Sequence, residues 1–278
     1  STGTPKNIRL PKRDMVESAR LTIDFFGITV DTTMLLCLSP DYIAGKMMIV
    51  RALLSGADLL VVAPSSSPLL SVAGPIDFAA MIPAQVIESL KAQEERAKLS
   101  RIGALIIGGA PLPLDTEEKL KSLPTRSYAT YGMTETVSHV ALRRIGEPGM
   151  LYRALGNITF STDERECLVI HTPHFSIKQF VTNDVVTLLD SRNFRWIGRY
   201  DHVINTGGVK VFPEQVEKKI TGVLARRFFI TSSPHEKWGE CVTLVVEGSP
   251  LATGEETALL ARLRESVDKY EMPRKIVY

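Results

Sequence analysis

The residue types best suited to chemistry lie together at 131–136. Tyr131-Gly132-Met133-Thr134-Glu135-Thr136 places an aromatic ring, a flexible backbone point, a hydroxyl and a carboxylate in one stretch after a strand-like segment. A ring can cover a nucleobase, a hydroxyl can donate to a phosphate, and a carboxylate oxygen is a ligand that Mg²⁺ prefers. The stretch therefore fits a nucleotide site, and a capped helix start is the alternative.

Two other segments have residues that suit a nucleotide site. Ser1-Thr2-Gly3-Thr4-Pro5-Lys6 combines hydroxyls, a glycine and a lysine, as a phosphate-binding turn requires. It is not the G-x-x-x-x-G-K-[ST] loop, because no Ser or Thr follows the lysine, and taken alone it is typical of a terminal loop. Gly108-Gly109-Ala110-Pro111-Leu112-Pro113 follows an apolar strand, where a flat ligand can lie against the backbone. An ordinary strand-to-helix turn is the alternative there.

Charged residues recur in the second half of the chain. Thr182-Asn183-Asp184 is predicted to lie between two strands, where the aspartate can accept both hydroxyls of a ribose or form an Asx turn. Arg199-Tyr200-Asp201 and Asn205-Thr206-Gly207-Gly208 follow at a change in the sequence pattern, where hinges commonly lie. The histidines and cysteines show no metal-ligand spacing.

The composition excludes several classes of protein. The 278 residues include 33 Lys and Arg against 31 Asp and Glu, a net charge of +2, which argues against a nucleic-acid groove or a polybasic membrane surface. With 44% hydrophobic residues the chain can bury a sizeable core, and no apolar stretch approaches the roughly 20 residues of a membrane span. Cys37, Cys167 and Cys241 form no C-x-x-C pair, which favours reduced, packed thiols and a cytoplasmic protein.

The order of elements predicts an α/β fold. Helical patterns at 14–27, 43–54 and 83–98 alternate with short apolar runs, as expected of parallel strands that are buried on both faces. Alternating strands follow after residue 131, and a small unit with two helices and two strands begins near residue 200. We therefore predict a large domain at 1–199, with parallel sheets flanked by helices plus a β-rich part, and a small α+β C-terminal domain at 200–278.

The segments resemble, in this order, the motifs of the adenylate-forming superfamily, which includes acyl-CoA synthetases, luciferases and adenylation domains. Residues 1–6 resemble the second half of its phosphate loop, T-S-G-T-T-G-x-P-K. Residues 108–112 match G-G-A-P-L, and residues 131–135 match Y-G-x-T-E. The first half of the chain thus carries three of the superfamily's motifs.

The second half carries two more. Residues 182–184 match T-G-D with Asn183 in place of the glycine, and 198–217 match G-R-x-D-x-x-I-x-x-G-G-x-x-I-x-P-x-E-V-E. The compact spacing and the sequences of these motifs are similar to those of the o-succinylbenzoate–CoA ligases of menaquinone biosynthesis. The resemblance runs along nearly the whole chain.

The resemblance implies a two-step ligase reaction. A carboxylate attacks the α-phosphate of Mg-ATP to give an acyl-adenylate and pyrophosphate, and the CoA thiol then displaces AMP. ATP, Mg²⁺ and CoA would take part, and the acid would be o-succinylbenzoate. Catalysis would rest on positioning and on stabilising charge around phosphorus.

The resemblance also implies roles for individual residues. The nucleotide would be bound by Ser1, Thr2, Gly3, Lys6, Gly108, Gly109, Ala110, Tyr131, Gly132, Thr134, Asp184 and Arg199. Of these, Thr134 would touch the α-phosphate, Lys6 the terminal phosphates, and Asp184 and Arg199 the ribose. Glu135 would bind Mg²⁺. Thr134, Glu135 and Lys6 are thus the implied catalytic residues.

A mobile C-terminal domain is implied as well. Asp201 would be the hinge about which it swings between adenylation and thioester poses, and Gly207 and Gly208 would border the CoA tunnel. The chain begins inside the phosphate loop and stops at Tyr278, before the superfamily's late catalytic lysine, so we expect a piece of a longer enzyme.

The acid pocket is harder to predict. Its candidate walls are 77–85 and 138–142, with Ser138 and His139 as pocket residues. A second carboxylate on the acid would need a cation, which Arg143 or Arg144 could supply. The favoured alternative is that both are solvated arginines at the end of a strand.

Two other functions stay open. The chain could be a ligase for another aryl or short aliphatic acid, or a non-catalytic nucleotide-binding remnant, which would not require Thr134, Glu135, Asp184 and Arg199. The expected partners are the carboxylic acid, ATP and CoA, with no nucleic acid and no membrane span. The oligomeric state is open, a homodimer included.

Overall fold

The computed structural model describes residues 8–278, which divide into two compact units. The first extends to Ser161 and includes Val169–Phe180 and Leu188–Arg195. The second comprises Thr162–Leu168, Val181–Thr187 and Trp196–Tyr278. The domain boundary between residues 199 and 200 stays a prediction.

The first unit is built on a mixed sheet. Its helices are α1 Lys12–Phe26, α2 Ile43–Ser55, α3 Pro83–Lys91, α4 Gln93–Leu99 and α5 Leu114–Lys121. Its strands are β1 Thr33–Leu36, β2 Asp58–Val61, β3 Phe78–Met81, β4 Ala104–Ile107, β5 Arg126–Gly132, β6 His139–Arg144 and β7 Tyr152–Ala154. The strands β8 Thr159–Thr162, β9 Cys167–His171, β10 Gln179–Asp190 and β11 Asn193–Arg199 each contribute residues to both units. The sheet order is β2-β1-β3-β4-β5-β6-β7-β11-β10-β9-β8.

The parallel part of this sheet is buried on both faces, as predicted. Strands β1 to β5 pair in parallel, and β6 and β7 continue the sheet antiparallel. Successive residues point to opposite faces, so Ala79 and Leu105 pack with α3, α4 and α5, while Phe78 and Ile106 pack with α1 and α2. This double burial explains the uninterrupted apolar runs, and it brings the carboxyl ends of β3, β4 and β5 to one edge of the sheet.

The helix ends that glycine determines were predicted well. Helices α1 and α2 end at Gly27 and Gly56, both in the left-handed conformation. The single helix predicted at 83–98 is wrong, because Ala92 takes an extended backbone and separates α3 from α4. The strands β3, β7 and β11 were missed.

The second unit contains a five-stranded sheet with two helices. Its elements are β12 Ile204–Thr206, β13 Val209–Val211, α6 Pro213–Ile220, β14 Phe228–His235, β15 Gly239–Val246, α7 Thr253–Ser266 and β16 Lys275–Val277. The strand order is β13-β12-β15-β14, with β16 parallel to β15. Val216 and Ile220 of α6 and Leu263 of α7 pack against Ile230 and Leu244 of the sheet.

Residues 182–184 lie inside a strand. The prediction that they separate two strands is wrong, because β10 runs unbroken from Gln179 to Asp190. The hydroxyl of Thr182 donates to the carbonyl of Leu168 at 2.8 Å, so the Asn-Asp pair does not form a turn here. Pairing with neighbouring strands outweighs the local preference of these residues for turns.

Candidate active site

A cavity of about 240 Å³ opens at the carboxyl ends of β3, β4 and β5, where α/β sheets commonly bind ligands. Its apolar walls come from β3, β4, α2 and the segments beside them: Leu38, Ile43, Ala44, Ala80, Met81, Ile82, Ile106, Met133 and Val137. Its remaining lining residues are Arg51, Gly108, Gly109, Thr130, Gly132, Thr134, Ser138 and His139. The cavity is thus an apolar slot with one charged side chain.

Six of the predicted site residues line this cavity. They are Gly108, Gly109, Gly132, Thr134, Ser138 and His139. Gly108 is required by packing: a Cβ there would lie 2.2 Å from the hydroxyl oxygen of Thr130. The backbone at the end of β4 can therefore approach β5 closely, which keeps that side of the slot open.

The other predicted residues of these two motifs lie outside that lining. Ala110 and Glu135 are exposed, and Glu135 stands on a single 3₁₀ turn, Thr134–Thr136. The half-buried Tyr131 ring packs edge-on against Phe194 at 5.1 Å and Tyr152 at 5.7 Å. These contacts fix the plane of the Tyr131 ring.

The backbone between Thr134 and His139 is strained. Val137 has φ 66° and ψ −54°, a conformation that a β-branched residue rarely adopts. The amide of Ser138 donates to the carbonyl of Thr136 at 2.8 Å across it, which makes this a γ-turn. The turn directs Ser138 and His139 to the cavity, and strain of this kind is common at ligand sites.

Arg51, in α2, was missed by the sequence interpretation. Its side chain is buried, 1% exposed, and it donates from Nη2 to Ser138 Oγ at 2.8 Å and from Nη1 to the Met48 sulfur at 3.7 Å. Its Nε is buried without a hydrogen-bond partner, and none of the described carboxylates pairs with it. Burial lowers the pKa of Arg51 from its usual value to about 9, so it remains a cation at neutral pH.

His139 lies next to this arginine. Its Nδ1 is 3.2 Å from Ser138 Oγ, and its Nε2 is 3.2 Å from Thr22 Oγ1 on α1. Burial, together with the charge of Arg51, lowers the pKa of His139 well below its usual value. The imidazole is therefore neutral at physiological pH.

Neither Arg143 nor Arg144 is among the residues that line the cavity, and the prediction that Arg143 is solvated is wrong. Arg143 is buried and binds both carboxylate oxygens of Glu117, with Nη1 to Oε2 at 2.9 Å. Arg144 donates to the hydroxyl of Tyr128 at 3.0 Å and lies over that ring. Both therefore have partners of their own within the fold.

In the second unit, the predicted ribose residues belong to one polar cluster. Arg199 donates to Asp201 at 2.8 Å and lies 3.8 Å from Asp184. The indole nitrogen of Trp196 donates to Asp184 at 3.1 Å. Asn183, which stands in the place of the motif's glycine, donates to both oxygens of Asp201 at 3.1 and 3.3 Å. The structure thus gathers Asp184, Arg199 and Asp201.

The two glycines predicted to border a CoA tunnel form the turn between β12 and β13. Both have positive φ, 58° at Gly207 and 82° at Gly208. A Cβ on Gly207 would lie 3.2 Å from Cδ1 of Trp238, whereas one on Gly208 would meet open space. The turn itself therefore accounts for glycine here, before any ligand is considered.

The predicted phosphate-loop residues Ser1, Thr2, Gly3 and Lys6 lie outside the described residues. The AMP-binding enzyme family model matches residues 1–167 of the chain, more than half of it. The chain belongs to the AMP-binding enzyme family. A probable 2-succinylbenzoate–CoA ligase of Mycobacterium tuberculosis is 26% identical over 99% of this chain and 76% of that protein.

Solved structures agree with this assignment. An AMP-forming acyl-CoA synthetase/AMP-acid ligase II-like protein from Dyadobacter fermentans is 35% identical, with a TM-score of 0.70 over 100% of this chain and 81% of that one. The o-succinylbenzoate CoA synthetase of Bacillus subtilis, in complex with its acyl-adenylate, is 20% identical with a TM-score of 0.80. This chain covers 63% of the Bacillus protein's length and is itself covered to 99%.

These findings confirm the predicted superfamily, its α/β fold and the AMP-forming acyl-CoA synthetase class, with ATP, Mg²⁺ and CoA as the small molecules that such an AMP-binding enzyme uses. The residues fit Mg²⁺ held mainly by nucleotide phosphates: Glu135 offers one exposed carboxylate, and residues 8–278 contain no cluster of three His, Cys, Asp or Glu for a metal. In the described part of the chain, no helix has the length and apolar run to cross a membrane.

Proposed function

We propose that this AMP-binding enzyme joins o-succinylbenzoate, an aromatic acid with two carboxylates, to CoA. The observation that carries the proposal is Arg51, a buried cation for which the described residues supply no carboxylate, in the wall of a mostly apolar cavity. The names of several relatives, which are 2-succinylbenzoate–CoA ligases, agree with it.

The cavity suits an acid of this shape. Its aliphatic walls can cover a ring, and Arg51 can bind the carboxylate that does not react through charge-assisted hydrogen bonds. A charged group buried without a partner is costly, so an acid with a single carboxylate would leave Arg51 uncompensated. Selection between acids would follow from this difference.

The reaction would proceed in two displacements. The reacting carboxylate oxygen attacks the α-phosphorus of ATP, and the bond to pyrophosphate breaks. The sulfur of CoA then attacks the acyl carbon, the bond to AMP breaks, and the thiol proton is released. Thr134 at the cavity would donate to the α-phosphate, Lys6 with Ser1, Thr2 and Gly3 would hold the terminal phosphates, and Glu135 would hold Mg²⁺. Mg²⁺, when bound, would neutralise charge on the phosphate oxygens.

The remaining site residues keep the roles predicted from their motifs. Gly108, Gly109, Ala110, Tyr131 and Gly132 would bind the adenine, and Asp184 and Arg199 the ribose. Asp201 would be the hinge of a domain at 200–278 that follows a domain at 1–199, and Gly207 and Gly208 would border the CoA path. The buried, free cysteines favour a cytoplasmic location, and a homodimer stays a prediction.

An acid panel tests the proposal. The full-length protein is incubated with Mg-ATP, CoA and single acids, and acyl-CoA is detected by mass spectrometry. We expect a thioester from o-succinylbenzoate and at least tenfold less from 4-oxo-4-phenylbutanoate, the same molecule without the ring carboxylate. Product from another acid alone would reject o-succinylbenzoate, and no adenylate or thioester from any acid would favour the non-catalytic alternative.

A further inference from the structure

Three polar side chains of the cavity wall, Arg51, Ser138 and His139, belong to one chain of hydrogen bonds that continues to Thr22. Arg51 donates to Ser138, Ser138 contacts His139, and His139 contacts Thr22. Thr22 in turn donates to the carbonyl of Ser18 within α1, at 3.5 Å. Arg51, His139 and Thr22 are 1%, 6% and 0% exposed, so solvent does not supply their partners.

The donors and acceptors in this series of hydrogen bonds fit one tautomer of His139. A guanidinium only donates, so Ser138 Oγ accepts from Arg51 and has its own proton to give. Thr22 gives its proton to Ser18, so its oxygen accepts from His139. The neutral imidazole therefore carries its proton on Nε2 and accepts from Ser138 at Nδ1.

The opposite tautomer leaves groups without partners. A proton on Nδ1 would point at Ser138 Oγ, whose own proton would then have no acceptor among its described contacts. Thr22 would also turn its proton from the carbonyl of Ser18 to the ring. The described contacts therefore favour the Nε2–H form, in which both hydroxyl protons have an acceptor.

These hydrogen bonds determine the orientation of the Arg51 guanidinium. Among the described residues no carboxylate binds Arg51, and its side-chain hydrogen bonds go to Ser138 and to the sulfur of Met48, a weak acceptor. The orientation of the Ser138 hydroxyl is fixed by His139, and the His139 ring by Thr22. The strained γ-turn at Val137 holds the backbone from which both cavity residues project.

We propose that His139 is a positioning residue: as the Nε2–H tautomer it links Thr22 to Ser138 and thereby holds Arg51 in the orientation that receives the second carboxylate of the acid. The inference rests on the proposed function, because the second carboxylate is what Arg51 is proposed to bind. His139 acts through Ser138 and Arg51 and has no part in the chemistry at phosphorus.

The test compares two acids across variants of one position. His139→Asn keeps an acceptor near the position of Nδ1, His139→Gln moves the amide to the far side of the ring, and His139→Leu removes both polar atoms. For each variant, kcat/KM is measured with o-succinylbenzoate and with 4-oxo-4-phenylbutanoate. We expect His139→Leu and His139→Gln to reduce the preference for the dicarboxylate about tenfold, mainly through KM, and His139→Asn to retain most of it.

A packing role alone predicts a different result. All three variants would then lower kcat/KM equally for both acids, and this outcome would overturn the inference. If wild-type protein forms no thioester with o-succinylbenzoate, the proposed function fails instead, before any variant is compared.

Two further measurements keep the inference testable should the His139 variants fold poorly. The ring ¹⁵N shifts of His139 in the wild-type protein report which nitrogen carries the proton, and protonated Nδ1 would overturn the inference. Thr22→Val, which preserves shape, should reduce the preference for the dicarboxylate several-fold, whereas Thr22→Ser should retain it. If Thr22→Val and Thr22→Ser prefer the dicarboxylate to the same extent, this result also contradicts the proposal.

Discussion

Two buried arginines of the first unit stand in opposite surroundings. Arg143 binds both oxygens of Glu117, whereas Arg51 has a serine hydroxyl and a thioether for partners. Burial alone would lower the pKa of either group. At Arg143 burial is the largest single effect, but the hydrogen bonds with Glu117 together with the interactions with Tyr152 and the Glu117 charge outweigh it and raise the pKa, whereas at Arg51 burial acts alone.

The comparison separates a charge that stabilises the fold from one reserved for a ligand. The Arg143–Glu117 pair joins β6 to α5 and is complete as it stands. Arg51 leaves a donor without a partner at a cavity, which is unfavourable in the free protein and favourable once an anion binds. Variants of the two sites should therefore change stability in opposite directions.

Glu117→Gln should have the largest effect. It leaves Arg143 buried without a countercharge, and we expect the free energy of unfolding to fall by about 3 kcal/mol in urea denaturation. The matched control is the double variant Glu117→Met with Arg143→Met, which removes both charges and should lie within about 1 kcal/mol of wild type. If Glu117→Gln is as stable as the double variant, the contribution of this pair to the free energy of unfolding does not depend on its charges.

Arg51→Met should act in the other direction on stability. Removing a buried cation without a countercharge should raise the free energy of unfolding by about 1–2 kcal/mol, while kcat/KM for the dicarboxylate falls about 30–100-fold. Arg51→Lys is the control: it keeps the charge and loses the fork of donors, so activity should be intermediate. A less stable Arg51→Met protein with normal selectivity would place Arg51 with Arg143 as a structural residue.

The sequence interpretation did not distinguish these two arginines. Arg143 and Arg144 stand at the end of a strand beside the nucleotide motif, so proximity along the chain made them the candidates, but the partner of Arg143 lies 26 residues upstream. Arg51 interrupts the apolar run MMIVRALL of α2, which follows Lys46. That signal was present, since an arginine inside an apolar helix face needs either a partner or a ligand.

Local signals predicted local features of the fold. The glycines that end α1 and α2 act through their own backbone, and the apolar runs of β1 and β4 are strong. Strand β3 was missed because its pairing with β1 and β4 is non-local. The Asn-Asp pair inside β10 misled for the same reason: the strand's neighbours, not its residues, keep it extended.

The partly exposed polar cluster around Asp184 in the second unit is a weaker case of the same comparison. Trp196 donates to Asp184, the proposed ribose carboxylate, at 3.1 Å. Trp196→Phe keeps most of the ring and loses this bond, so we expect KM for ATP to rise about three- to fivefold with little change in stability. Trp196→Leu, which also loses the ring, should lower stability as well. An unchanged KM in Trp196→Phe would separate this indole from nucleotide binding.

Asn183→Gly restores the superfamily's glycine and should have the smallest effect, because the charges there are exposed. Hydrogen bonds from Arg199 first, and from Asn183 to a lesser degree, lower the pKa of Asp201. Without Asn183, carboxyl ¹³C titration should show the pKa of Asp201 shifted part of the way back to its usual value.

A carboxylate with a lowered pKa in the folded state stabilises the protein above its usual pKa, and this contribution is lost as pH falls through the lowered value. In Asn183→Gly this contribution should therefore be smaller and its loss complete at a higher pH, and Arg199→Gln should shift that point further. An equal or larger shift from Asn183→Gly would mean that the amide, and not the guanidinium, is the main partner of Asp201.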